Sequence, residues 1–183
     1  MASTQASFWW ERAGRAPMGV PGLEGVIFSL DAVLADARAD HELFAGLVWD
    51  LHCAGIRVVV ATSRQGLGVH RSVRDLLGDG AVELVITGDE VANPKPDPEV
   101  YHYALWELGL RAEHVLAVED SAEGLRAALG AGLATVVVTT EGTRSDDFTG
   151  AAAVLPGYDG PDSLSVHRCR GLRAGWLTGA LSA

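Results

Sequence analysis

The chain has 183 residues, 48% hydrophobic and 21% charged, ordinary proportions for one globular domain with a single buried core. A formal net charge of −10 and a pI near 4.9 set it against nucleic acid and anionic membrane surfaces, whose phosphates repel such a field. No apolar run reaches the length of a membrane span, and no basic stretch followed by a long apolar one opens the chain, so a cytoplasmic protein is expected.

In chain order, Phe8-Trp9-Trp10-Glu11-Arg12 comes first, ahead of a stretch holding Pro17, Pro21 and several glycines. An aromatic cluster before a flexible stretch is expected to dock, on the chain's own core or, through Trp9 and Trp10, on a protein partner or a second copy. Strands are expected near 25–30, 56–61, 82–87, 114–119 and 134–139, with a further short one near 152–155. Helices are expected near 39–54, 67–78, 97–109 and 121–131, on spacings such as Leu43, Leu47, Leu51 and Val100, Ala104, Leu105, Leu108. Gly55, Gly78, Gly109 and Gly132 stand where helix ends favour a residue tolerant of positive φ. This alternation implies an α/β fold, a doubly wound parallel sheet with right-handed crossovers. Residues 1–24 are read as the aromatic segment, 25–160 as the core domain, and 161–183 as a C-terminal tail able to form a helix. The basic stretch Arg168–Leu177 within that tail reads as a solvated final helix. Cys53 and Cys169 make no metal or redox spacing, and Cys53 reads as a buried thiol in a reducing compartment. The six histidines show no metal-ligand spacing.

The chemistry sits at the ends of the expected strands. Gly25–Leu30 runs into Asp31-Ala32-Val33-Leu34-Ala35-Asp36; Val58-Val59-Val60-Ala61 runs into Thr62-Ser63; Val115-Leu116-Ala117-Val118 runs into Glu119-Asp120-Ser121. In open α/β sheets ligands bind outside the carboxyl ends of the strands. Between the last two runs lies Asn93-Pro94-Lys95-Pro96-Asp97-Pro98, which holds the only lysine among fourteen lysines and arginines. Lysine is a compact point charge suited to one phosphate oxygen, and flanking prolines stiffen the loop that aims it. Singly, each residue has a structural reading as well: Asp31 and Asp36 as turn residues, Thr62 and Ser63 as helix caps, Glu119 and Asp120 as acids complementing a helix dipole. Four such clusters in this order favour a site.

These four segments resemble motifs I to IV of the haloacid dehalogenase-like superfamily of phosphohydrolases, closest to the branch of phosphoglycolate phosphatase and β-phosphoglucomutase. The resemblance covers roughly Gly25 to Thr140 and implies a Rossmann-like core. It implies roles too: Asp31 as general acid and base with its main-chain carbonyl toward a metal, Thr62, Ser63 and Lys95 as phosphate ligands, and Glu119 and Asp120 with Asp31 as the Mg²⁺ site. Motif I departs from the family's Asp-x-Asp-Gly. Ser29 stands where the resemblance places the attacking aspartate, and Ala32 stands at the glycine. A serine hydroxyl is a poor nucleophile without a base, and one metal-binding carboxylate is lost, so weak Mg²⁺ binding and impaired turnover are expected. The relatives insert a cap domain between motifs I and II, whereas Asp31 and Thr62 are 31 positions apart and Thr62 and Lys95 are 33 apart, too few for a cap. A capless, open site follows. The expected ligand is a phosphorylated compound or inorganic phosphate. The expected role is a regulatory or scaffold subunit, with a weak or unconventional hydrolase, or a purely structural module, as alternatives.

Overall fold

Every residue of the strand β1 (Gly25–Phe28) is buried, which is what a short β-branched and aromatic run does at the centre of a sheet covered on both faces. The structure, a computed structural model, describes residues 20–34 and 41–179. The Phe8–Trp10 cluster and Asp36 lie outside the described residues. Around β1 are β2 (Arg57–Ala61), β3 (Leu84–Ile86), β4 (Val115–Glu119), β5 (Ala134–Val138) and β6 (Ala153–Leu155). All pairs are parallel, in the order β3-β2-β1-β4-β5-β6. The chain winds outward from β1 to β3, then crosses back to β4, so the winding reverses between β1 and β4. That is the expected doubly wound sheet, and the crevice at such a reversal is where these folds hold ligands.

Period-two alternation divides the core. Val26, Phe28, Val58, Val60, Leu116, Val118 and Val136 face one side; Ile27, Val59, Ala61, Val115 and Ala117 face the other. The first side is covered by α1 (His41–Cys53), α2 (Gly68–Leu77) and α5 (Val166–Leu177), the second by α3 (Glu99–Leu108) and α4 (Ala122–Gly130). Helix α1 buries Phe44, Leu47, Val48 and Leu51, the i, i+3, i+4, i+7 stripe of an amphipathic helix. Ser121 caps α4 by accepting from Gly124 N at 3.1 Å, and Ser165 caps α5 by accepting from Arg168 N at 3.2 Å.

Two expectations need correction. Cys53 is exposed, because it falls on the far side of the stripe that buries Phe44 and Leu51; the buried thiol is Cys169 on α5. The final helix is not a solvated one. Cys169 and Arg173 lie four residues apart, one helical step along a single face, and both are buried, while Leu172 and Trp176 pack on the same core. The Arg173 guanidinium donates to the carbonyls of Pro21 and Glu113, and Trp176 Nε1 donates to Gly150 O at 3.1 Å. These contacts tie α5 to the start of the described chain and to the 3₁₀ turn Ala112–His114 ahead of β4.

Burial pushes the Cys169 thiol up to about 12, so it is both shielded and protonated at neutral pH. A thiol reagent applied to the native protein is expected to modify Cys53 alone, with Cys169 reacting only after unfolding in guanidinium. Equal native labelling of both, read by mass spectrometry, would show that α5 does not pack as described.

Candidate functional site

Register brings the site together before any side chain is considered. Phe28 is level with Val60 of β2 and Val118 of β4, so the next residues, Ser29, Ala61 and Glu119, sit side by side at the carboxyl edge of three adjacent strands. Ser29 N donates to Val118 O at 2.8 Å and Thr62 N to Ile86 O at 3.0 Å, continuing the ladder into the loops. Lys95 arrives from the loop between β3 and α3. Glu99, in the first turn of α3, holds that loop by accepting from Ala92 N and Asn93 N, each at 2.8 Å, and from Asn93 Nδ2 at 2.7 Å.

The ammonium of Lys95 is the centre of the site. Its Nζ donates to Glu119 Oε1 at 2.8 Å and Ser29 Oγ at 3.0 Å, with Ala61 O at 3.4 Å and Asp31 Oδ2 at 3.8 Å. Only 6% of the Lys95 side chain is exposed and none of Glu119, so this is a buried ion pair. Such a pair persists only when the remaining lone pairs are also satisfied. Here the Tyr101 hydroxyl donates to Glu119 Oε1, Asp120 N donates to Oε2 at 3.1 Å, and the carboxylate lies against the start of α4, where the helix dipole favours negative charge. A Cβ at Gly124 would lie 1.9 Å from Glu119 Oε2, so glycine there is what lets the carboxylate approach the helix. The Tyr101 ring also lies 5.5 Å from Lys95 Nζ. Burial, reinforced by the Glu119 charge, holds the Tyr101 phenol far above its ordinary value and keeps it a donor.

The other two carboxylates face the loops. Asp31 accepts from the Thr62 hydroxyl through Oδ1 and from Ser63 N through both oxygens, at 3.0 and 3.1 Å. Thr62 Oγ1 itself accepts from Arg64 N at 3.2 Å. Asp120 Oδ2 accepts from Ala32 N at 2.8 Å. Its carboxyl is pushed up to about 6, first by burial and then by the nearby Glu119 charge. All seven residues singled out in the sequence therefore meet at one sheet edge. Tyr101 and Gly124 were missed. Tyr101 reads as an apolar α3 position, and its signal was the phenol, because a buried tyrosine hydroxyl needs a partner.

Among the described residues no group of three or more His, Cys, Asp or Glu side chains converges as a metal cage. Glu119 commits both oxygens within the protein, whereas no hydrogen bond engages Asp120 Oδ1 among the described residues. The donor set thus suits a hard cation held by one carboxylate, waters and a ligand's phosphate, the manner in which Mg²⁺ is commonly bound.

Removing Lys95 leaves Glu119 buried without a counter-charge. Lys95→Ala is expected to cost about 3–5 kcal/mol of stability, read from urea unfolding. The raised Asp120 pKa has a defined sign. The folded state holds this proton more tightly than the unfolded chain, so its stabilising contribution is complete below pH 3.8 and is lost as pH rises through about 6. In EDTA, Asp120→Asn is expected to flatten that decline in an unfolding-versus-pH series; an unchanged slope would assign it to another group.

Residues 42–138, just over half of the chain, match the family model of the haloacid dehalogenase-like hydrolases. That span contains Thr62, Lys95, Glu119 and Asp120 and begins after Ser29 and Asp31. Protein CbbY of Cereibacter sphaeroides is 40% identical over 117 residues, 62% of this chain and 51% of that protein. The crystal structure of CbbY from Rhodobacter sphaeroides in complex with phosphate matches with a TM-score of 0.65 at 25% identity, over 78% of this chain and 97% of that one. A mutant of the same CbbY in complex with xylulose-(1,5)-bisphosphate matches with a TM-score of 0.63 at 36% identity, over 73% of this chain and 61% of that one. The chain spans about half the length of the curated relatives it matches. By sequence over that span and by its parallel sheet with the lysine and acid pair at the carboxyl edge, this chain belongs to the haloacid dehalogenase-like hydrolase family.

Proposed function

We propose that this chain is a phosphohydrolase-fold protein with impaired turnover, which binds a phosphorylated ligand or inorganic phosphate and serves as a regulatory or scaffold subunit. The observation that carries the reading is the environment of Ser29. It occupies the position of the attacking carboxylate in the resemblance, and its only side-chain hydrogen-bond partner among the described residues is the Lys95 ammonium. An ammonium paired with Glu119 donates protons and does not remove them, so no side chain among the described residues stands as a base on the hydroxyl. Loss of a nucleophile typically lowers turnover by on the order of 10⁴–10⁶. Lys95, the Ser63 N–H and the hydroxyls of Ser29 and Thr62 line one edge as anion donors, Thr62 and Ser63 now donating to the Asp31 carboxylate. Magnesium, held by Asp120 and the Asp31 main-chain carbonyl, would neutralise charge on a bound phosphoryl group. That CbbY binds phosphate and a sugar bisphosphate in its crystals supports a phosphorylated ligand here.

The short spacing between Asp31 and Thr62 makes this a capless site, open to a large ligand or to a partner that supplies a lid. Water exclusion strengthens catalytic electrostatics, so an open site suits binding better than turnover of small phosphate esters. No helix among the described residues is long and apolar enough to cross a membrane. Two free thiols fit a reducing cytoplasm. The competing reading is a weak hydrolase in which Asp31 attacks, and what favours it is that this carboxylate is part-exposed and 3.8 Å from Lys95.

A phosphate-ester panel with and without magnesium separates the two. The unaltered chain is expected to show no turnover above background, while Ser29→Asp gains magnesium-dependent activity. Turnover by the unaltered protein that disappears in Asp31→Ala would establish the hydrolase instead.

A further inference from the structure

The groups assigned to phosphate are already in use. Thr62 Oγ1 donates to Asp31 Oδ1, Ser63 N donates to both Asp31 oxygens at 3.0 and 3.1 Å, and Lys95 Nζ lies 3.8 Å from Asp31 Oδ2. A carboxylate and a phosphoryl group each offer a pair of anionic oxygens to such donors, so one site cannot serve both at once. We infer that the Asp31 carboxylate is an internal occupant of the anion cradle formed by Thr62, Ser63 and Lys95, and that an oxyanion ligand binds by displacing it.

The surroundings allow that displacement without disturbing the fold. The backbone after Asp31 is held independently, by Ala32 N on Asp120 Oδ2 at 2.8 Å and Leu34 N on Leu30 O at 2.9 Å. Lys95 is held by Glu119 and Ser29 and does not depend on Asp31 for its place. The Asp31 side chain is 29% exposed, so it can turn outward by rotation about its own bonds into water. The ligand that competes best carries more charge than a carboxylate, which selects a dianionic phosphoryl group over a monoanion such as acetate. Apparent affinity is then reduced by the fraction of molecules whose cradle is occupied.

This rests on the reading of Thr62, Ser63 and Lys95 as phosphate ligands, and the test separates the two. Inorganic phosphate is titrated by calorimetry in EDTA into the full chain, Asp31→Ala, Asp31→Asn, Asp120→Asn and the double variant Asp31→Ala/Thr62→Val. The expected result is binding at least about tenfold tighter in Asp31→Ala, equal to about 1.4 kcal/mol. The gain should be smaller in Asp31→Asn, which keeps the shape, and lost in the double variant. Asp120→Asn removes a charge from the same pocket without opening the cradle and should gain little. Equal gains in Asp120→Asn and Asp31→Ala would reduce the effect to general repulsion and overturn the inference. Unchanged or weaker binding in Asp31→Ala, with the full chain binding phosphate, overturns it and leaves the proposed function standing. No binding by any form at about 10 mM phosphate removes the cradle itself, and with it both readings. Should Asp31→Ala fail to fold, Asp31→Asn decides alone: no gain there, with phosphate bound by the full chain, overturns the inference.

Discussion

A buried ammonium facing a buried carboxylate organises this protein's carboxyl edge. The desolvation of Lys95 and Glu119 is worth several kcal/mol per ion and must be offset by close contacts from every side. Those contacts come from four elements: Ser29 after β1, the Ala61 carbonyl at the end of β2, Tyr101 on α3, and the start of α4, opened to the carboxylate by Gly124. The strand alternation that sends Ala117 into the α3–α4 layer sends Glu119 there too, which is why its partner is a tyrosine of α3. The ion pair is therefore a consequence of register, and the pocket is built around it.

The serine at position 29 makes electrostatic sense in that setting. Asp31, Glu119 and Asp120 already lie around one lysine, and the Asp120 carboxyl is pushed up to about 6, first by burial and then by the Glu119 charge. A carboxylate at position 29, where the serine hydroxyl lies 3.0 Å from the ammonium, would add a fourth acid to this group and would raise the demand for a divalent cation. A neutral hydroxyl accepts the lysine's hydrogen bond without adding charge. A serine at this position thus keeps the contact to Lys95 and leaves the repulsion among the acids lower than an aspartate would.

The parallel, doubly wound sheet was legible because each strand is a short apolar run ending in polar residues, and buried parallel strands have few other ways to read. The site was legible for a related reason: strand ends converge in a doubly wound sheet, so polar residues placed there meet whatever their sequence distance. A lone lysine in an arginine-rich chain marked its loop. Contacts that depend on side-chain direction were hidden. The resemblance implied Thr62 as a phosphate ligand, and only three-dimensional structure reveals that its hydroxyl points at Asp31. Tyr101 was concealed by its own helix, whose apolar face absorbs an aromatic without remark. The final helix misled for the opposite reason. Its arginines suggested solvent, yet the Arg173 guanidinium donates to two backbone carbonyls and follows Cys169 into the core.

The pocket is formed with a serine at position 29, because its contacts do not depend on an acid there. The backbone there is fixed by the ladder bond from Ser29 N to Val118 O, which any residue except proline can make. Lys95 is retained by Glu119 and Glu119 by Tyr101, a chain of contacts that touches residue 29 only at its edge. The pocket's shape therefore rests on the ion pair together with the contacts that satisfy it from Tyr101, Asp120 N and the start of α4. Among the pocket's carboxylates, Glu119 is locked inside the protein, whereas Asp31 is part-exposed and held by a hydroxyl and one N–H. The fixed pair gives the pocket its shape, and the freer carboxylate lies at its part-exposed side.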